Sequence, residues 1–463
     1  MSINTLEARI QQLEEQLSRA LQENQQLKLR IEELEEKLNT NSKNSSKPPS
    51  QDLYRGKRSK RVPSERKQGG QVGRKGVFRK PFRKKEVSEV IEINPKKCPE
   101  CKGSSFKNPP IRTEIKQVAD LPEIKLSVTE YHINTCKCSQ CGENIKGEIP
   151  RAAKRAFGPK VMGFLTLLTG EYSLSKRKIA DLLGHLNLKI SLGSICQIHH
   201  LAGEILEEPY DKIKEVTLNG KAVNADETSW RTKGAKRWVW IATSSKSAYY
   251  KIDPSRSREA FSRIIGSKFQ GTLTTDRYGA YNAHEGKRQR CLSHVRRDIE
   301  KISDRSGIDG MLGGGLKDSF NDTFSLWKAY KSGCITRKEL IAGTEVFSQQ
   351  RVKALLQLGS VGGGLKSKTR GTCKNLLKSF DGLWVYLYEE GIDPTNNLAE
   401  RDLRQGVLWR KISNGTQSDA GERFVERILT VSMTLKKQSK NTLTFLVDCF
   451  QSYIREGPMP QPL

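Results

Sequence analysis

No stretch of this sequence is apolar for long enough to cross a bilayer; the greasiest, residues 161–169, is less than half of what a membrane helix needs. The first residues are polar and acidic where a secretory leader would be basic and then apolar, so no membrane partner is expected. Acid is scarce: 52 Asp and Glu face 81 Lys and Arg, a formal charge of +29. An excess of that size points to a polyanion partner. Cysteine is not spread as a disulfide framework requires. Five of the ten fall between Cys98 and Cys141, which suits a metal site in a reducing cytoplasm. At 463 residues the chain exceeds one ordinary core, and several domains are expected.

Residues 6–38 carry a heptad repeat. Ile10, Leu17, Asn24, Ile31 and Leu38 fall at position a, and Leu6, Leu13, Ala20, Leu27 and Leu34 at d. Such a seam with one buried Asn favours a parallel two-stranded coiled coil, so residues 1–40 are read as a homodimerisation helix. A linker at 41–97 follows, too polar to bury a core. Its stretch 55–85 holds fourteen Lys or Arg against one acid, Glu65, with Arg74, Lys75, Arg79 and Lys80 among them. A segment of this kind neutralises phosphates without reading sequence.

Cys98 and Cys101 form one C-x-x-C pair, Cys138 and Cys141 another. Each pair puts two thiolates on one turn, and two such turns complete a tetrahedral zinc site. Four thiolates leave no open position, so zinc here would fold a module spanning 98–150. Cys136 is an alternative ligand to Cys138. A strand-like run at 125–132 would return the second pair to the first.

Residues 151–215 read as helices, with a helix-turn-helix at 178–198 whose second helix is capped by Ser191. His199 and His200 are adjacent and so point to different faces. From residue 221 the period becomes that of strands: 221–228, 237–243 and 248–252, then a helix at 258–265 and a strand at 271–276. Asp226 lies on the first strand and Asp276 ends the fourth. This is the core plan of ribonuclease H-like nucleotidyl transferases. Hard cations need carboxylate oxygens held on rigid neighbours, and phosphodiester transfer uses two magnesium (or manganese) ions so held. The third carboxylate is expected from a helix, with Glu400 the best candidate. On a helix Asn397 and Arg404 would share its face, as a supporting amide and a phosphate-binding cation, while Asp402 would project away. Glu227 would point to the other side of its strand.

Several segments together resemble the insertion sequence 66 family of bacterial transposases. They are Asn44-Ser45-Ser46-Lys47-Pro48-Pro49-Ser50, the glycine-punctuated residues 69–76, the two cysteine pairs, Ala225-Asp226-Glu227-Thr228, residues 275–281, Cys291-Leu292-Ser293-His294-Val295-Arg296-Arg297 and residues 396–404. Val72, Arg74 and Leu292 depart from the usual family pattern. The resemblance implies a ribonuclease H-like core, an Asp-Asp-Glu triad carried by Asp226, Asp276 and Glu400, and a helical insertion before the Glu.

The expected architecture is multidomain α+β. Core residues 216–300 and 395–463 would flank a helical insertion at 301–394, after the coiled coil, zinc module and helical DNA-binding region. The expected activity is binding of terminal inverted repeats, then metal-dependent cleavage and transfer of strands into target DNA. Arg401, Arg404 and Arg410 would hold phosphates. Cys291 is read as a core cysteine and His294 as a neighbour of the site, rather than as a second metal pair. The resemblance also suggests small accessory proteins and a bacterial, cytoplasmic setting. The alternatives are a non-catalytic zinc-containing DNA-binding regulator, a domesticated inactive transposase, or an RNA-directed nuclease on the same core.

Overall fold

Lys233 and Gly234 both adopt positive φ (52° and 78°), the backbone of a two-residue turn whose twist matches paired strands. They join β3 (Ala222–Thr232) to β4 (Ala235–Thr243) in register, Thr232 opposite Ala235. A computed structural model describes residues 3–41, 44, 80–106, 111–121, 126–266 and 269–463. The chain divides into two compact units, 55–128 and a larger one made of 1–54 with 129–463.

In the larger unit, α1 (Ile3–Asn39) is one long helix whose Ile10, Leu13, Leu17, Leu27, Ile31, Leu34 and Leu38 are exposed. Its end is tied down: Glu36 pairs with Lys368 and, at 3.5 Å, with Arg305. The buried Asn44 donates to Asp304 at 3.0 Å. A short hairpin of β1 (Thr135–Lys137) and β2 (Asn144–Lys146) follows. Of the strand expected at 125–132, the described residues 126–132 are irregular, with Leu126 and Val128 exposed.

Four helices come next: α2 (Pro159–Gly170), α3 (Lys176–His185), α4 (Leu192–Ile205) and α5 (Glu207–Leu218). Ser175 and Ser191 cap α3 and α4 by accepting from the N–H groups of Lys178 and Ser194. Asn187, at φ 60°, ends α3 in the left-handed conformation. A short turn joins the two helices, with Ile179, Leu183, Ile195 and Ile198 buried and Lys176, Arg177 and Lys178 exposed. His199 is buried, bonded to Thr169 at 2.9 Å and stacked on Phe424, and burial pushes its pKa down to about 3. It is a core residue, while His200 is exposed.

The main sheet has five strands, with β5 (Ala248–Asp253), β6 (Thr272–Thr275) and β7 (Arg288–Arg290) joining β3 and β4. Their order is β5-β4-β3-β6-β7. The first three pair antiparallel; β6 joins β3, and β7 joins β6, in parallel. A short helix, α6 (Arg258–Phe261), runs on into a π-turn between β5 and β6. The strand β7 goes beyond the sequence expectation, since Arg-Gln-Arg carries no strand pattern.

Beyond β7 come α7 (Leu292–Ser303), α8 (Gly307–Lys331), α9 (Arg337–Thr344), α10 (Gln350–Val361), α11 (Ser367–Leu377) and α12 (Val385–Tyr388). They bury a core of their own, including Phe320, Leu356, Trp384 and Tyr386. The excursion closes on itself, because the Leu292 N–H donates to the Pro394 carbonyl at 2.9 Å. α13 (Asn397–Ser413) then lies on β3 and β4, followed by α14 (Asp419–Lys437) and α15 (Thr442–Arg455).

α14 also covers the exposed edge of β5. The N–H groups of Ala248, Tyr250 and Ile252 donate to Thr434, Thr430 and Glu426 at 3.1, 3.0 and 2.7 Å. Four helical residues rise about 6 Å and two strand residues about 6.6 Å, so i, i+4 on the helix can serve i, i+2 on the strand. A sheet edge that would otherwise recruit another strand is satisfied by side chains. Among the described residues no helix is long and apolar enough to cross a membrane.

In the unit 55–128, Phe82 and the Gln117 amide exchange two hydrogen bonds, at 2.7 and 3.0 Å. The described structure there is otherwise a 3₁₀ turn at Lys84–Glu86, a hydrogen-bonded turn at 98–103 and irregular chain.

Candidate active site and metal centres

Alternation along β3 decides which acids can meet. Val223 and Ala225 face a core built with Phe261 and Tyr281, and Trp230 faces the core that contains Ala399 and Leu403 of α13. Asp226 and Thr228 share the face of Trp230; Glu227 takes the opposite one. There Arg256 grips Glu227 (Nε to Oε1, 2.7 Å), and the Tyr281 hydroxyl donates to its other oxygen. The Arg256 guanidinium is stacked 3.8 Å from the Tyr278 ring centre. Glu227 is therefore held by partners on the face opposite Asp226.

Asp276 stands at the end of β6, the parallel neighbour of β3, and its Oδ1 accepts from the Tyr278 N–H at 2.8 Å. Arg288 holds this corner, donating to the Thr275 hydroxyl and the Asp276 carbonyl, each at 2.8 Å. Burial, and then Arg290, push the Arg288 pKa down to about 10. Arg277 pairs with Asp298.

Glu400 reaches the same place from α13. Asn396, fully buried, pins the start of that helix: its amide donates to the Ala225 carbonyl at 2.8 Å and accepts from Asn224 at 3.0 Å. The Glu400 N–H then closes the first turn onto the Asn396 carbonyl at 3.1 Å. Burial, then Glu227 and Asp276, and to a smaller degree Glu400, hold the Asp226 carboxyl well above the usual range. Carboxylates that repel one another in a half-buried pocket are a donor set for hard divalent cations. Glu400 Oε1 is buried with no hydrogen-bond partner among the described residues, which suits a metal-ligand oxygen. Asp226, Asp276 and Glu400 thus fit the magnesium or manganese expected of them. A cavity of about 250 Å³ opens beside Asp276, lined also by His294, Arg277, Arg297, Lys301 and Asn44.

Some expected roles move. The amide that supports the Glu400 helix belongs to Asn396; Asn397 is exposed. Both lie in one motif, and helical periodicity cannot say which of two adjacent residues is the cap. Arg410 is not a free phosphate ligand: it donates to the Ser229 carbonyl at 2.5 Å and to the Ser229 and Thr228 hydroxyls. Arg401 and Arg404 are exposed. Asp402 points into the core, bonded to Thr243 at 2.8 Å and Lys437 at 2.6 Å. Cys291 and His294 do have a partner, Glu400, and the ligand atoms of the three lie within 4.8 Å of one another. Of the basic arm, Lys80 is described and exposed, while Arg74, Lys75 and Arg79 lie outside the described residues.

The two cysteine pairs form matching turns, one in each unit. The Cys98 N–H donates to Gly103 and its carbonyl accepts from Lys102; Cys138 does the same with Glu143 and Gly142. Lys102 and Gly142 are both left-handed, at φ 60° and 77°. The Cys98 sulfur is bonded by the N–H groups of Cys101 and Glu100, which lower its pKa, and the Cys138 sulfur by those of Cys141 and Gln140. Thiolates prepared in this way suit zinc. Cys136 lies on β1, opposite Ile145.

Residues 155–423, more than half of the chain, match the family model described as Transposase IS66 family. The chain belongs to the IS66 family of transposases. Residues 95–142 of this family member match the zinc-finger binding domain of transposase IS66, and residues 1–80 a family of unknown function, DUF6444. The match at 95–142 covers both cysteine pairs and supports a structural zinc. A curated relative, the uncharacterized protein y4qI of Sinorhizobium fredii (strain NBRC 101917 / NGR234), is 25% identical over 308 residues. That alignment takes in 59% of this chain and 52% of the relative, so the IS66 family member spans about half the length of its relative.

Proposed function

We propose that this chain is a DNA transposase that binds the ends of its own mobile element and cuts and joins DNA strands with magnesium or manganese. The observation that supports the reading is that Asp276 and Glu400 both bear electrostatically on the buried Asp226, from the neighbouring parallel strand and the first turn of the helix packed on the sheet. Three antiparallel strands followed by two parallel ones support a ribonuclease H-like core over 216–300 and 395–463, interrupted by the helical insertion at 301–394. Bound there, the cations supply Lewis acidity at the scissile phosphate and a water nucleophile at neutral pH. Asp226 and Asp276 hold their oxygens on rigid strands, Asn396 sets the rotation of α13, and His294 stands beside Glu400. The exposed Arg401 and Arg404 grip phosphates of the bound strand.

The remaining segments position DNA. The exposed apolar seam of α1 supports a homodimer through residues 6–38, which would bring two element ends together. The basic linker 41–97, with Arg74, Lys75, Arg79 and Lys80, tracks phosphates. Cys98, Cys101, Cys138 and Cys141 are the residues offered to structural zinc in the segment 98–150. The helix-turn-helix within 151–215 offers a further reading surface. The setting is the cytoplasm, on terminal repeats and target DNA, with accessory proteins of the same element as companions.

The test is a cleavage assay on labelled element ends. Asp226→Asn and Asp276→Asn should each lower magnesium-dependent cleavage by ~10³-fold or more, the cost of losing a metal-held transition state, and leave end binding intact. Cleavage at wild-type rate in either variant refutes the assignment.

A further inference from the structure

We propose that Cys291, His294 and Glu400 form a second transition-metal site, fitted to zinc rather than magnesium, whose occupancy withdraws Glu400 from the carboxylate pocket. Only this consequence rests on the transposase reading; the binding of zinc stands or falls by itself.

Three observations carry it. First, His294 Nδ1 and Glu400 Oε1 are both buried and neither has a hydrogen-bond partner among the described residues. They stand 3.7 Å apart, too far for a hydrogen bond to each other. That spacing is close to the edge of a tetrahedron around an ion with bonds of about 2.1 Å, roughly 3.5 Å. Second, the Cys291 sulfur completes a triad within 4.8 Å, so an ion needs only a contraction of about one ångström to reach its normal bond lengths.

Third, the sulfur is cradled like those of the two C-x-x-C turns. Cys98 and Cys138 are each bonded by the N–H groups two and three residues on. The Cys291 sulfur faces the N–H groups of Ser293 and His294 in the same way, and also accepts from the Asn396 N–H at 3.1 Å. The C-x-x-H segment is thus a metal knuckle with imidazole in place of the second thiol. Thiolate with imidazole selects zinc or cobalt over magnesium. Three protein ligands leave a fourth position open to water. The cavity that reaches His294 beside Asp276 gives an entry path. On binding, the Cys291 thiol proton leaves to solvent and the sulfur–metal bond replaces the S–H bond.

The experiment uses full-length protein stripped of metal, reconstituted with zinc for stoichiometry and with cobalt for its spectrum. Wild type should bind two ions per chain. Cys291→Ser and His294→Gln should each bind one, with the spectrum of a tetrathiolate site remaining. A Cys98→Ser/Cys101→Ser variant should keep one ion with a single-thiolate charge-transfer band. If the cysteine module binds nothing, wild type binds one ion and each single variant none, which still supports the proposal. Unchanged stoichiometry in His294→Gln, which keeps the buried Cys291 in place, overturns it. So does loss of all metal from the double-cysteine variant while wild type binds some. Zinc loading should also abolish the rise in melting temperature that magnesium gives the metal-free protein. If that rise survives in zinc-loaded wild type, Glu400 is not withdrawn; if magnesium gives no rise even without zinc, the catalytic reading fails instead.

Discussion

Asp226 is the residue on which the site's electrostatics turn. Its carboxyl is raised by burial and by three neighbouring acids, so the folded state binds its proton more tightly than the unfolded chain does. Stability from such a group is fully present below the unfolded carboxyl range, near pH 4, and is lost as pH rises through the elevated folded value. The metal-free protein should therefore lose stability as pH climbs above about 4, and Asp226→Asn should flatten that loss. At neutral pH magnesium should raise the melting temperature of wild type and not of Asp226→Asn. Calorimetry across pH, with and without magnesium, checks both; equal pH dependence in the two proteins would remove Asp226 from the cluster. Strand pattern and position made Asp226 and Asp276 legible in the sequence. Neither could show that Asn396 rather than Asn397 anchors Glu400, because that depends on where the helix starts against β3.

At the scale of elements, α13 uses its face twice. Its first turn presents Glu400, and its last turn clamps β3 through Arg410 on Thr228 and Ser229. Arg410→Ala should destabilise the fold by ~1–3 kcal/mol, since it strips partners from half-buried oxygens. Arg404→Ala, at an exposed position, should leave stability within about 0.5 kcal/mol and weaken DNA binding. Denaturant melts beside binding titrations separate the two, and the opposite ranking would exchange their roles. The helix α1 makes a second case. Leu17→Asp with Leu27→Asp should convert a dimer to a monomer in sedimentation while the remaining helices keep their circular dichroism, because both side chains are exposed on the single chain. A monomeric wild type would end the coiled-coil reading.

For the whole molecule, binding and chemistry are assigned to separate parts of the chain. Cys98→Ser with Cys101→Ser should remove the module's zinc and weaken end binding by on the order of 10-fold or more. The magnesium-induced rise in melting temperature, which depends on Asp226, Asp276 and Glu400, should persist. Loss of that rise together with the zinc would show that the module supports the pocket after all.

The heptads, the basic arm, the cysteine pairs and the first two aspartates were fixed by local pattern: period, charge density, spacing and strand alternation act over a few residues, and each can be read along the chain. Tertiary structure alone decided what crosses long gaps. It closed the helical insertion on the Leu292–Pro394 bond, which sets Cys291 against Asn396 and so brings His294 beside Glu400. It assigned Arg410 to a strand and covered the β5 edge with α14 side chains. These are pairings between residues a hundred or more positions apart, selected by which buried donor needs which acceptor, and no periodicity encodes them.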